Sequence, residues 1–295
     1  MSTLSPVLPL RARLAFEASI VWQLIYKDLP ASVGIGVMWS IVAWRSSAGA
    51  LSALPLVALK SLLYFVVYVL PHCIANQING VEEDRVNKPW RVLPSGQLSM
   101  RQMWTRLFVS FAVFLAVGLW LGVFLWALAW SVVVVLNNFG KATHRWYVKD
   151  LWMGVGMFVL MSPAWQIVAP ISSQGMLWSA VLSVAVFVLV PMQDLRDMSG
   201  DRVCGRVTFP LAFGEVVARG FLACFFLVIP ALFFAMMARA AWTPGSLLFW
   251  LALSAWAWVL AHRVWFRRST THDHLTYQAF CWWFVGWEGA ALFVL

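Results

Sequence analysis

Charged side chains are scarce in this sequence. They make up 11% of its 295 residues, whereas hydrophobic residues make up 62%. A soluble protein of this length could not bury so much apolar surface. Several apolar runs approach the roughly 20 residues that a helix needs to cross a bilayer. Because these runs are continuous and not alternating, they indicate helices and not the strands of a barrel. The sequence therefore predicts an all-α integral membrane protein with one membrane domain, residues 1–295.

Cysteine is also rare, and its spacing forms no motif. The four cysteines, Cys73, Cys204, Cys224 and Cys281, include no C-x-x-C pair, so neither a zinc site nor a disulfide framework is indicated. We also find no Ser-His-Asp or Cys-His arrangement typical of covalent catalysis. With these motifs absent, the acidic and basic residues are the candidates for a functional site.

The net charge of +9 does not indicate a nucleic-acid partner. The basic residues lie at the ends of the apolar runs, where they are typical topology signals. With the N-terminus in the cytoplasm, nearly all of the 21 basic residues fall on the inner side, as the positive-inside rule requires. We expect no nucleic-acid partner, and we predict no protein partner.

Nine apolar runs predict nine transmembrane helices. A preceding segment, residues 8–26, predicts an interfacial helix that lies along the membrane surface. The nine predicted spans are residues 30–46, 54–84, 102–119, 121–138, 151–170, 176–198, 212–237, 246–264 and 276–294.

The second and sixth predicted spans end in two acidic stretches, residues 76–96 and 194–201, both on the cytoplasmic side. They hold six of the twelve acidic residues. On helices that turn about 100° per residue, each stretch places oxygen-bearing side chains on one face. Two such faces repel each other at low dielectric unless cations lie between them, and oxygen ligands suit Mg²⁺. The predicted metal ligands are Asn76, Glu83, Asp84, Asp194, Asp197 and Asp201.

Basic residues near these stretches indicate a bound polyanion. Arginine can hold phosphate oxygens in a bidentate grip. An apolar membrane site, a metal cluster and phosphate-binding residues together predict a prenyl diphosphate substrate, with membrane lipid as the surroundings. The candidates for binding the diphosphate are Lys88, Arg91, Lys149, Arg202 and Arg206.

The two stretches resemble the aspartate-rich motifs of the UbiA-type superfamily of intramembrane prenyltransferases. Asp194, Asp197 and Asp201 match the second motif, and Asn76 and Asp84 match the ends of the first. The resemblance implies nine transmembrane helices around a central cavity, with Mg²⁺ and diphosphate bound between the motifs. It implies catalytic roles for Asp84, Asp194 and Asp197.

The first motif also departs from the usual pattern. Gln77 and Gly80 stand where the superfamily has aspartates, and Glu83 precedes the retained aspartate. This form is similar to the terpene cyclase branch of the superfamily. The segment THRWYVKDLWMG at 143–154 is similar to that branch too, which implies that Lys149 binds diphosphate.

The resulting hypothesis is a Mg²⁺-dependent membrane terpene cyclase whose active site opens toward the cytoplasm. It would ionise a prenyl diphosphate, with farnesyl diphosphate favoured, cyclise the carbocation and release diphosphate. One alternative is prenyl transfer to an aromatic or other acceptor. A lesser alternative is a non-catalytic transporter or lipid-binding protein.

Aromatic residues are abundant, with 20 Trp and 21 Phe. Aromatic faces attract carbocations by cation–π interaction, although most tryptophans are expected in the interfacial belts. The candidates for the cavity wall are those predicted deep in spans: Trp165, Trp282, Trp283 and Trp287.

Overall fold

The computed structural model describes residues 9–140, 145–203, 205–237 and 242–295. Residue 8, where the predicted interfacial helix begins, lies outside these ranges, as do Cys204 and the first two residues of segment 143–154. Within the described ranges the chain is helical, and its only strand-type contact is an isolated bridge between Arg145 and Val207. This part of the chain has the all-α architecture that the sequence predicts.

Thirteen α-helices form the described part of the chain. A π-helical turn at Pro30–Gly34 leads into the second helix, and short 3-10 turns lie at Leu51–Ala53 and Ala291–Phe293. The helices are α1 (Leu10–Ile25), α2 (Ile35–Ser46), α3 (Leu54–Asn79), α4 (Val81–Asn87), α5 (Met100–Trp120), α6 (Phe124–Phe139), α7 (Trp146–Gln166), α8 (Ser173–Leu189), α9 (Met192–Val203), α10 (Phe209–Phe213), α11 (Glu215–Met237), α12 (Pro244–Phe266) and α13 (Thr270–Ala290).

Four of these helices, α3, α5, α11 and α12, are long and apolar enough to cross a membrane. The bent pair of α8 and α9 qualifies as a fifth span. Helix α6 has only 16 residues, α7 carries Lys149 and Asp150, and α13 carries Asp273 and Glu288. Nine spans are therefore not confirmed within the described residues, because several helices are short or bear polar side chains.

Two helix breaks lie between the apolar helices and the acidic side chains that follow them. Helix α3 ends at Asn79, and the N–H of Gly80 donates to the Asn76 carbonyl at 2.8 Å before α4 begins. Helix α9 is bent by 43° from α8. Pro191 lies at this break and has no N–H with which to continue a helix. The predicted continuous spans to residues 84 and 198 are therefore wrong.

Helix α2 is central to the packing, since it contacts α3, α7 and α13. A methyl group at Gly36 would come within 2.3 Å of the Phe65 ring on α3. On the same helix, Ser40 Oγ donates to the Ala164 carbonyl of α7 at 2.7 Å. Small residues that allow close helix approach and hydroxyls that bond across helices are typical of packing within membranes.

A buried ion pair joins the last three helices. Arg219 of α11 is 1% exposed. It donates to both carboxylate oxygens of Asp273 in α13, at 2.8 and 2.7 Å, and to the Val264 carbonyl of α12 at 2.9 Å. Because one guanidinium donates to acceptors on two other helices, it holds α11, α12 and α13 together without any contribution from the acidic stretches.

The close contact at Gly36 gives a stability prediction. Gly36→Ala forces a methyl group into the Phe65 ring, and overpacking of this kind typically costs about 1–3 kcal/mol. Gly220→Ala in α11 is the matched control, because its methyl group would lie 3.5 Å from Trp265, an ordinary contact. We expect the free energy of unfolding, measured by denaturant titration in detergent micelles, to fall for Gly36→Ala only. Equal effects would contradict the packing described.

Candidate functional site

The two acidic stretches meet face to face, and basic side chains bridge them. Lys88, directly after α4, places its Nζ 2.9 Å from Oδ1 of Asp197 in α9. Arg206, in the turn after α9, forms an ion pair with Glu83 of α4 and lies 3.6 Å from Asp201. Residues more than 100 positions apart in sequence therefore form one charged cluster.

Asp84 lies at the centre of the first stretch and is 1% exposed. Arg91 Nη1 donates to both of its carboxylate oxygens, at 3.0 and 2.8 Å. Both residues lie beyond the apolar span that ends at Asn79. Burial raises the pKa of the Asp84 carboxyl above its usual value, although Arg91 and Lys88 favour the charged form. Burial is the largest single effect on the pKa of Arg91 and lowers it, but the charge of Asp84, its hydrogen bonds and the charge of Asp28 together raise the pKa above its usual value.

Helix α7 supplies a second buried ion pair. Lys149, in its first turn, donates to Oδ1 of Asp194, which is itself 1% exposed. The other oxygen of Asp194, Oδ2, is buried without a hydrogen-bond partner, and so is Oδ2 of Asp201. Both oxygens of Asp150 are also buried without partners. A buried acceptor left unpaired costs free energy, and of these three residues only Asp201 lines the cavity described next.

A cavity begins at this cluster and runs between α3, α6 and α7. It encloses about 1270 Å³ of empty space, including its open mouth. Its mouth is ionic, whereas the far end is apolar and aromatic, with Tyr68, Trp130 and Leu160. A site with these two ends suits an amphiphile whose charged head remains at the mouth.

Most of the predicted site residues line this cavity. Two do not: Asp194 lies behind Lys149 and is not part of the lining, and Arg202 is exposed and outside it. Those that do are Asn76, Glu83, Asp84, Lys88, Arg91, Lys149, Asp197, Asp201 and Arg206.

The lining also includes charged residues that sequence reasoning missed. Arg196 lies between two motif aspartates, stacks on the Tyr277 ring at 4.3 Å and donates toward Asp197 at 3.4 Å. Its position inside the motif was a signal that could have identified it. Asp28 follows α1, accepts from the Cys73 thiol at 3.4 Å and carries no motif that would reveal it.

The aromatic candidates for the cavity wall are wrong. Trp165 packs against Trp39, while Trp283 and Trp287 pack against phenylalanines of α11, and Trp282 is exposed. None of these tryptophans lines the cavity. Depth within a predicted span does not give the direction in which a side chain points, so it did not select the cavity face. The aromatic residues that line it are Tyr68, Trp130, Trp152 and Tyr277.

The donor set fits a hard divalent cation in its chemistry. In the described ranges, no group of three or more His, Cys, Asp or Glu side chains is arranged to hold a metal ion by itself. Lysine and arginine side chains instead pair with the carboxylates. The unpartnered oxygens of Asp194 and Asp201 are the ligand type that Mg²⁺ prefers.

Comparisons with known proteins agree with this architecture. The model of the UbiA prenyltransferase family matches residues 33–285. A somaliensene A/B synthase from Streptomyces somaliensis is 38% identical over 242 residues, which cover 80% of this chain and 79% of that protein. The diterpene cyclase eriG from Hericium erinaceus is 30% identical over 277 residues, covering 90% and 85%. The apo structure of a UbiA homolog from Aeropyrum pernix K1 shares the fold, with a TM-score of 0.65, 18% identity, and coverage of 89% and 96%.

The two arginines of the first stretch give a matched stability test. Arg91→Ala removes the guanidinium whose Nη1 contacts both carboxylate oxygens of buried Asp84. We expect a loss of about 2–3 kcal/mol, below the roughly 3–5 kcal/mol of a fully buried pair, because Lys88 remains 3.9 Å from Asp84. Arg85→Ala breaks only an exposed pair with Glu82 and should cost at most about 1 kcal/mol. Unfolding titrations in micelles measure both, and a larger effect for Arg85→Ala would contradict this assignment.

Proposed function

Because the chain belongs to the UbiA prenyltransferase family, we propose that it is a Mg²⁺-dependent membrane terpene cyclase. It ionises a prenyl diphosphate, with farnesyl diphosphate as the favoured substrate, and cyclises the carbocation. The cyclic cation then loses a proton to the released diphosphate and leaves as a neutral terpene. One observation carries the proposal. A single cavity joins a charged mouth to an aromatic far end, in a chain similar to a somaliensene A/B synthase and a diterpene cyclase.

The proposal includes a membrane topology. The chain is an integral membrane protein, in which nine transmembrane helices surround the cavity and its mouth opens toward the cytoplasm. The cluster of Lys88, Arg91, Lys149 and Arg206 at the mouth supports this orientation, since basic residues are enriched on the cytoplasmic side of membrane proteins.

The basic residues at the mouth bind the diphosphate in this proposal. Lys88, Arg91, Lys149 and Arg206 line the cavity, and each already holds a carboxylate. A diphosphate offers them stronger, multiply charged acceptors, so they exchange partners when it binds. Arg202, which is exposed outside the lining, is not part of the proposed set.

When the basic residues exchange the carboxylates for diphosphate, the carboxylates become free to bind a metal ion. Mg²⁺ held by these carboxylates would supply Lewis-acid chemistry, the withdrawal of charge from the leaving diphosphate. Asp84, Asp194 and Asp197 are the proposed catalytic residues because they lie on both sides of the charged cluster. The residues that would hold Mg²⁺ are Asn76, Glu83, Asp84, Asp194, Asp197 and Asp201.

The inner wall controls the carbocation after ionisation. Tyr68, Trp130, Trp152 and Tyr277 present aromatic side chains to the cavity, and aromatic faces attract cations. The apolar lining also excludes water, which would otherwise capture the cation as an alcohol. The aromatic residues shield and orient the carbocation, whereas the charged residues at the mouth assist the departure of diphosphate.

Two other functions use the same features. Prenyl transfer to an aromatic or other acceptor shares the ionisation step, and the description of the family favours it. It requires room for a second substrate beside the prenyl chain. A transporter or lipid-binding protein would use the buried carboxylates without breaking the diphosphate bond.

The first test removes single carboxylates. Asp84→Ala and Asp194→Ala should each lower diphosphate release from farnesyl diphosphate at least about 100-fold, since each removes a proposed metal ligand. Both variants should remain inserted in the membrane. Glu82→Ala is the control, because Glu82 is exposed and forms its ion pair with the likewise exposed Arg85. Full activity in either aspartate variant, or in EDTA, would defeat the metal-dependent proposal.

The second test separates cyclisation from transfer. The purified protein is incubated with Mg²⁺ and farnesyl or geranylgeranyl diphosphate, with no acceptor present. We expect cyclic hydrocarbons by gas chromatography and mass spectrometry, together with an equal amount of released diphosphate. Diphosphate release that appears only when an aromatic acceptor is added would instead establish the transferase. No release under any condition would indicate a non-catalytic protein.

A further inference from the structure

A stacked aromatic pair closes the deep end of the cavity. Tyr68 of α3 and Trp130 of α6 have ring centroids 4.3 Å apart and planes inclined by only 10°. Trp130 Nε1 donates to the Tyr68 carbonyl at 3.0 Å, and the Tyr68 hydroxyl donates to the Gly156 carbonyl of α7 at 3.4 Å. The pair is therefore anchored to three helices at one level, and it is less free to move than an isolated side chain.

The cavity lining stops at this level on each of these helices. The deepest lining residue is Tyr68 on α3, Trp130 on α6 and Leu160 on α7. One turn further along α3, Tyr64 and Phe65 are fully buried and pack against the Tyr68 ring. In the described part of the chain, no residue beyond this level on these three helices belongs to the lining.

Helical rise gives the depth of the cavity below its charged mouth. Tyr68 lies eight residues from Asn76, and Leu160 lies eleven residues from Lys149. At about 1.5 Å per residue, these separations correspond to roughly 12 and 16 Å. A farnesyl chain spans such a depth when nearly extended, so it also fits above the floor in the folded shape that cyclisation requires. A geranylgeranyl chain, one isoprene unit longer, must fold back on itself to fit above the floor.

We propose that Tyr68 and Trp130 form a floor that sets the length of prenyl chain the site accepts. This role rests on the proposed function, since it assumes that a prenyl chain occupies the cavity with its diphosphate at the mouth. Gly156 contributes by leaving space beside the floor, because a methyl group there would come within 3.0 Å of the Trp130 ring. The floor thus acts on specificity and not on the departure of diphosphate.

Two substitutions test the floor in opposite directions. Trp130→Ala opens the deep end and should raise the affinity for the longer chain relative to the shorter one. Gly156→Ala narrows the deep end and should raise the affinity for the shorter chain relative to the longer one. An isoprene unit contributes several carbons of apolar contact, so we expect changes of at least about tenfold in each ratio. The probes are the non-ionising thiolodiphosphate analogues of geranyl, farnesyl and geranylgeranyl diphosphate, measured by calorimetry.

Trp165→Ala is the matched control. This substitution also replaces a tryptophan by alanine, but on α7, where Trp165 packs against Trp39 outside the cavity. The ratio of the affinities for the longer and shorter chains should therefore match that of the wild type. Because the probes report binding without ionisation, they test the floor separately from catalysis. If binding depends on chain length but the protein releases no diphosphate, the proposed cyclase activity is refuted and the proposed role of the floor is retained. Affinity ratios unchanged by both Trp130→Ala and Gly156→Ala would overturn the floor, whatever the activity.

Discussion

Ion pairing between the α4 region and α9 is the interaction on which this structure depends. Glu83, Asp84, Asp194 and Asp201 are all buried, and unbalanced carboxylates so close together would repel strongly at low dielectric. Lysine and arginine side chains balance that charge from three directions: the segment after α4, the start of α7 and the turn after α9. The same contacts hold the mouth of the cavity together.

This arrangement links stability to function. Charges that are paired in the free protein are already desolvated and oriented, so they can exchange partners with a bound diphosphate without new burial. The proposed exchange would also provide partners for the unpaired oxygens of Asp194 and Asp201. A buried unsatisfied group in a native protein calls for an explanation, and a binding or catalytic role is one that these two residues fit. The ion pair of Arg219 with Asp273 lies outside the cavity lining, so it can maintain the bundle while the site rearranges.

The sequence predicted the helical class and the residues of the charged cluster well, because both depend on local signals. Apolar runs identify helices, and acidic residues are conspicuous where charge is rare. The sequence could not predict which basic side chains pair with these carboxylates. The carboxylates were expected to face metal ions, but Lys88 and Arg206 reach across to them, and such long-range pairing leaves no trace in spacing. The helix breaks at Gly80 and Pro191 also changed the expected faces. The cavity wall was mispredicted because burial of Trp283 and Trp287 reflects contact with α11.

The central claim is that both acidic stretches hold one diphosphate at the mouth of one cavity. A cryo-electron microscopy structure with Mg²⁺ and the thiolodiphosphate analogue of farnesyl diphosphate tests it most directly. We expect diphosphate density between α4 and α9, in contact with Lys149 and Arg206, with the prenyl chain directed toward Trp130. Density elsewhere, or Asp84 and Asp194 separated on opposite sides of the membrane, would contradict it.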